Sequence, residues 1–211
     1  ANSNNIKKVI FASSAAVYGN CEDVQLVEES AVDCRSPYAD SKFQSEKYLL
    51  LLMSRETQVH ILRFFNVYGP GQDANSNYAA VIPSFIQRIT SGQSPTIFGD
   101  GSQSRDFIAV SDVVNLITQI LLNHNNPQNG VYNVATQTET SISELLRIIT
   151  TSISEIDNTI EIPEIRYEQK RLGDITSSCA DISKVVNSFG WSPKIGLAQG
   201  IKSLVEFELR G

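Results

Sequence analysis

Apolar residues along this chain alternate between short continuous runs and helix-spaced stretches. "KKVIFAS" is short and almost wholly apolar, the pattern of a strand covered on both faces of a parallel sheet. After it, Ser36 suits an N-cap and Pro37 the first helical position, where a missing N–H costs nothing. The helix-friendly residues that follow predict a helix over 37–55. "VHILRFF" is a second apolar strand, so strand, crossover helix and strand form one right-handed parallel unit. Beyond it the pattern predicts an irregular stretch in "NVYGPGQDANSNY", a helix in "AAVIPSFIQRITSG" and a strand in "PTIFGD". Ser111 is expected to cap a helix in "DVVNLITQILLN", and "GVYNVAT" reads as a strand. Ser141 and Glu144 form a capping box ahead of "ISELLRIITTSI". "IEIPEIRYE" reads as extended, Asp181 opens a helix that ends near Gly190, and a last helix spans about 197–209. Alternating strands and helices give an α/β class. Residues 1–66 are expected to form one unit and 67–211 mainly a second, with 130–136 able to return to the first sheet.

Composition narrows this picture without redrawing it. The chain has 211 residues, 41% hydrophobic and 19% charged, enough for one large domain or two small ones. Its net charge of −6, with basic residues scattered, argues against a nucleic-acid partner. No apolar run is long enough to span a bilayer and "ANSNNIKK" lacks a hydrophobic signal region, so no membrane partner and a cytoplasmic location are expected. Cys21, Cys34 and Cys179 are an odd number at no metal-ligand spacing, which reads as reduced thiols and no metal.

The candidate chemistry begins at "SPYADSK". A four-residue step puts Tyr38 and Lys42 on one helix face, one turn apart. Alone, that pairing reads as a packed tyrosine with a solvated lysine behind it. "GPGQDA" formally fits a G-x-G-x-x-A nucleotide fingerprint, but Pro70 sits between the glycines and no amphipathic helix opens after it. It reads as a turn, which leaves no dinucleotide phosphate loop in this sequence. A hydrolase triad has little support, since His60 falls in a strand pattern, His124 ends a helix pattern, and no G-x-S-x-G occurs.

Taken in order, "FASSAAVYG", "SPYADSK", "LRFFNVYGPGQ", "GDGSQSRDFIAVSDV" and "RLGDITSSCADISK" resemble the extended short-chain dehydrogenases/reductases, specifically the NAD-dependent nucleotide-sugar epimerases and dehydratases. The resemblance runs along essentially the whole chain. It implies the C-terminal part of a Rossmann-like parallel sheet plus a smaller α/β substrate-binding domain. The family's amino-terminal glycine loop and first strands have no counterpart here, so a fragment or truncated form, without the main NAD loop, is the expectation. The resemblance makes Tyr38 the general base, supported by Lys42 and Ser14, with Tyr38, Lys42 and Ser13 also touching NAD. An ordinary tyrosine is only about a thousandth ionised at neutral pH, so a base of this kind needs positive charge beside it.

For the substrate, the resemblance implies that Arg105 and Arg171 hold a diphosphate, Asp174 the ribose, and Asn66 and Ser14 the sugar end. Ser178 matches a gate position at which a small residue leaves room for an N-acetyl group. The family's dehydratases carry Asp-Glu after the catalytic serine, whereas this chain has Ala15-Ala16. The expected activity is therefore C4 epimerisation of a UDP-sugar through a 4-keto sugar, UDP-N-acetylglucosamine favoured and UDP-glucose possible. A homodimer is expected for the full-length enzyme and self-association for a fragment. The alternatives are a non-catalytic nucleotide-sugar-binding or interaction module, and a dehydratase or decarboxylase of the same family.

Overall fold

The computed structural model describes residues 6–21, 25–51, 53, 57–73, 80–123, 129–171, 173 and 175–210. β1 (Lys8–Ser14) occupies the first apolar run, and a single 3₁₀ turn (Ala15–Tyr18) follows directly. Next come α1 (Pro37–Leu51), β2 (Gln58–Phe64), β3 (Asn66–Tyr68), α2 (Val81–Thr90) and β4 (Thr96–Phe98). β5 (Ser104–Ala109), α3 (Val110–Leu122), β6 (Gly130–Val134), β7 (Glu139–Ser141) and α4 (Ile142–Ile156) follow. β8 (Arg166–Glu168), α5 (Ser183–Phe189) and α6 (Leu197–Arg210) complete the described elements.

The first sheet has the order β1-β2-β6 and is parallel throughout. Its register runs from Lys8 opposite Gln58 to Ser14 opposite Phe64, and from His60 opposite Gly130 to Phe64 opposite Val134. The "GVYNVAT" strand therefore returns to the first sheet. β2, in the middle, buries Val59 to Arg63, whereas β1 buries only Ser13. The expectation that β1 is covered on both faces is corrected here, since Ala12 is exposed and every residue but Ser13 and Ala12 only half-buried, and among the described residues no strand pairs with its outer edge. A second sheet, β3-β5-β7, pairs β3 parallel and β7 antiparallel to β5, and β4 pairs parallel with β8.

Local signals behave as their chemistry requires. The Ser36 hydroxyl accepts from Ala39 N–H at 3.1 Å, and the Ser141 hydroxyl from Glu144 N–H at 3.1 Å. The Glu144 carboxylate turns to Arg147 instead of completing the capping box. Asp181 accepts from Ser183 N–H at 2.7 Å, and Gly190, at φ 61°, closes α5 in the left-handed conformation. α1 stops at Leu51, short of residue 55, where Met53 N–H reaches back three residues to Leu50 and tightens the last turn. Ser111 is not a cap: β5 runs straight into α3, and Ala109 stands at the boundary without a side-chain bond. β3 is likewise regular where an irregular stretch was expected.

Two apolar clusters result. One gathers Val17, Tyr18, Leu62, Tyr132 and Val134 around the first sheet, and α3 and α5 join it through Val113, Leu116, Ile120, Val185 and Phe189. The other packs α2, α4 and α6 on the second sheet through Phe85, Ile86, Leu145, Ile149 and Leu204. Residue 66 is therefore not a boundary between cores, because α3 and α5 lie beyond it and pack on the first.

Candidate active site and nucleotide cavity

Ligand crevices in open parallel sheets lie beyond the carboxyl ends of the strands. β1 delivers Ser13 and Ser14 to that end, and α1 begins beside it. Ser14 is half-buried, and its hydroxyl accepts from Ala16 N–H at 3.1 Å, opening the 3₁₀ turn. Tyr38, at the start of α1, is 55% exposed. One turn on, the Lys42 ammonium donates to the Ala12 carbonyl at 2.9 Å. It lies 5.2 Å from the Phe11 ring centroid and 5.6 Å from that of Tyr38. Lys42 is thus tethered to the end of β1 with its charge beside the Tyr38 ring.

Ser13, expected to touch the cofactor, is buried and gives its hydroxyl to Glu46 of α1. Glu46 is also gripped by the Arg63 guanidinium of β2, with Nε to Oε1 at 3.0 Å and Nη2 to Oε2 at 2.7 Å. The Arg63 guanidinium sits 4.8 Å from the Tyr18 ring centroid, and its Nη1 donates to the Glu28 carbonyl at 3.0 Å. Tyr18 donates to Asn133 at 2.6 Å, and burial pushes its phenol up to about 12, against the pull of Arg63. Helix α1 is therefore fastened to β1 and β2 by polar groups two turns behind Tyr38.

A cavity of about 370 Å³ opens elsewhere on the molecule. Asn66, Arg105 and Arg171 line it together, so three of the residues expected to bind substrate share one space. Arg105 Nη1 donates to the carbonyls of Ser104 and Ile175, each at 2.7 Å. The Arg171 guanidinium lies over the Phe98 ring, 3.8 Å from its centroid. Asn66 donates through Nδ2 to the Asp106 carbonyl at 3.2 Å. The remaining walls are Val81, Phe85, Thr96, Ile97, Phe98, Gln103 and Ile142. Of these, Val81 and Thr96 to Phe98 fall in "NYAAVIP" and "TIFGDG", which the family resemblance implies enclose the nucleoside base, whereas Phe85, Gln103 and Ile142 carry no signal beyond helix or strand patterning. Ser178 is buried on the 175–180 strap and does not line this cavity. Asp174 lies outside the described residues.

Apolar walls, a stacked arginine and a second backbone-anchored arginine suit a planar ring joined to a phosphate. The fit to NAD is narrower. Tyr38, exposed at the head of α1, with the Lys42 charge beside its ring suits a ribose, but the Gly69–Gly71 segment is a turn after β3, with Gly71 at φ 82°. Among the described residues no helix starts there to receive a pyrophosphate. Among the described residues no group of three or more His, Cys, Asp or Glu could hold a metal ion.

Residues 1–135 match the NAD dependent epimerase/dehydratase family. The chain belongs to that family. A UDP-glucose 4-epimerase of Mycolicibacterium smegmatis is 34% identical over 206 residues, spanning 96% of this chain and 62% of its own length. The family's breadth shows in a dTDP-D-glucose 4,6-dehydratase of Mus musculus, 31% identical over 96% of this chain and 56% of its own. Among solved structures, a UDP-N-acetylglucosamine 4-epimerase from Methanobrevibacter ruminantium M1, in complex with UDP-N-acetylmuramic acid, superposes with a TM-score of 0.89. It is 40% identical, and the match covers 99% of this chain and 64% of that one. The chain thus spans less than two thirds of the length of these relatives. Parallel sheets flanked by helices are what a Rossmann-type member of this family requires, and no described helix is long and apolar enough to cross a membrane.

Proposed function

We propose that this chain supplies the substrate-binding and acid–base residues for C4 epimerisation of a UDP-sugar, with the N-acetylated sugars preferred. The observation that carries this reading is the shared cavity of Asn66, Arg105 and Arg171, together with a Tyr38–Lys42 pair at the carboxyl end of the parallel sheet. Arg171 and Arg105 bind the diphosphate through guanidinium edges, and Phe98 and Ile97 cover the base. Asp174 is assigned to the ribose. Tyr38 takes the proton from the sugar C4 hydroxyl, helped by a hydrogen bond from Ser14, and returns it to the epimeric hydroxyl. Lys42 favours the ionised phenol by its charge and binds the cofactor ribose with Tyr38. The chemistry that NAD supplies when bound is reversible hydride exchange with sugar C4. Ala15 and Ala16 bring no second acid, which favours epimerisation over loss of water. Preference for acetylated sugars rests on the small Ser178 and on likeness to the UDP-N-acetylglucosamine 4-epimerase.

Incubation with NAD and UDP-N-acetylglucosamine, followed by proton NMR, tests this reading. UDP-N-acetylgalactosamine is the expected product, and a 4-keto-6-deoxy sugar would replace epimerisation with dehydration. Ser178→Tyr should lower kcat/KM for acetylated relative to plain sugars, and an unchanged ratio removes Ser178 as the gate. A second reading has its own support in the open edge of β1 and the exposure of Tyr38: the chain alone binds nucleotide sugars without turning them over. Calorimetric binding of UDP-sugar with no product at saturating NAD would select it.

A further inference from the structure

Asp106 is fully buried, and none of the roles above uses it. Its Oδ1 accepts from the Thr136 N–H at 2.8 Å and from the Thr136 hydroxyl at 2.6 Å. Its Oδ2 accepts from Ala180 N–H at 3.4 Å, and its carbonyl oxygen takes the Asn66 amide. Among the described residues no lysine or arginine forms an ion pair with it. A buried carboxylate without a cation is costly, and here every partner is a donor. Protonation would add an O–H among groups that are all donating to the carboxylate. Burial raises the carboxyl pKa, and the hydrogen bonds from Thr136 oppose that rise.

What Asp106 joins is informative. Thr136 lies just past the end of β6, in the sheet that carries Ser14. Ala180 ends the 175–180 strap, whose Ile175 carbonyl anchors Arg105 and whose Thr176 carbonyl accepts from Ser104 N–H at 2.9 Å. Arg105 is the neighbour of Asp106 in β5. We propose that Asp106 is the positioning residue of the nucleotide cavity: its carboxylate locks the strap and the end of β6 onto β5, and so sets where Arg105 and Asn66 meet a diphosphate. This rests on reading the cavity as a nucleotide site. The effect is specific to the phosphate end, because Phe98, Ile97 and Phe85 reach the cavity from β4 and α2, to which the Asp106 carboxylate makes no hydrogen bond among the described residues.

Two probes separate positioning from mere support of the fold. Uridine engages only the base end, whereas UDP-glucose engages both. Asp106→Asn keeps the shape but turns one acceptor into a donor facing Ala180. Calorimetry should show UDP-glucose binding weakened about tenfold or more, the scale of a lost hydrogen bond to a charged group, with uridine affinity within about twofold. Amide exchange at Ala180 should accelerate. Thr136→Val removes one hydroxyl donor, is gentler on folding, and should shift the two affinities in the same unequal way. Equal weakening of both probes, or unchanged UDP-glucose binding, overturns the proposal. A wild-type chain that fails to bind UDP-glucose instead overturns the nucleotide reading, and exchange at Ala180 then still decides whether Asp106 holds the strap.

Discussion

Tyr18 and Tyr38 meet opposite surroundings within the same motif-bearing region. Tyr18 is sealed in the core and fixed as a donor to Asn133, while Tyr38 stands open beside Lys42. Replacing Tyr38 by Phe should therefore leave UDP-sugar affinity within a few-fold and cut turnover by orders of magnitude, since only the ionisable oxygen is lost. Near-normal turnover would remove Tyr38 from the role. Tyr68 poses a different problem: among the described residues its buried hydroxyl has no hydrogen-bond partner, and burial, then Asp112, pushes it up to about 12. Tyr68→Phe should be neutral or stabilising by up to about 1 kcal/mol in urea denaturation, because no bond is broken and an unsatisfied group disappears. Gly200→Ala should cost about 1–3 kcal/mol, because its Cβ would lie 2.0 Å from the Tyr68 hydroxyl. At this scale the sequence showed what is local. The Ser36 cap and the Tyr38–Lys42 spacing are legible because helical geometry alone dictates them. Asp106 was not, because its donors stand 30 and 74 residues further along the chain.

Among the elements, α1 has the plainest division of labour. Its first turn carries the candidate chemistry, and Glu46 fastens its far side to β1 and β2 through Ser13 and Arg63. Both partners are almost completely buried, with side-chain exposures of 4% for Arg63 and 2% for Glu46. Removing one should cost about 3–5 kcal/mol by leaving the other charge without a partner. Glu46→Leu with Arg63→Met should recover most of that loss, and urea unfolding of the singles and the double completes the cycle. If the double is as unstable as the singles, packing and not charge explains the cost. The burial of Glu46 was not legible, since the sequence of α1 holds no trace of the cation opposite it. The same limit hid the second sheet. β1, β2 and β6 announce themselves as apolar runs, but β5 opens with "SRD", and β7 is "ETS". Their pairing with each other, and not their hydropathy, makes them strands.

At the scale of the whole molecule, α1 leaves Tyr48 69% and Leu51 81% exposed, and among the described residues no strand covers the outer edge of β1, on which α1 packs. Such surfaces favour association. Light scattering of the purified chain should show a mass above that of the monomer at micromolar concentration, with Leu51→Lys shifting it downwards. A monodisperse monomer at every concentration would count against these surfaces as a contact. The α/β class and the return of 130–134 to the first sheet were legible at this scale. The sharing of α3 and α5 with the first core was not, since it depends on which sheet face lies free when the chain passes. The order β1-β2-β6 also has a history in time. β2 ends at residue 64 and β6 at residue 134, so 134 − 64 = 70 further residues must be made before β2 has its second neighbour. At about 5–20 residues per second, the emerging chain carries that bare apolar edge for roughly 4–14 s on the ribosome. Over those seconds a strand that ends as the best-covered of its sheet is the one most in need of a chaperone.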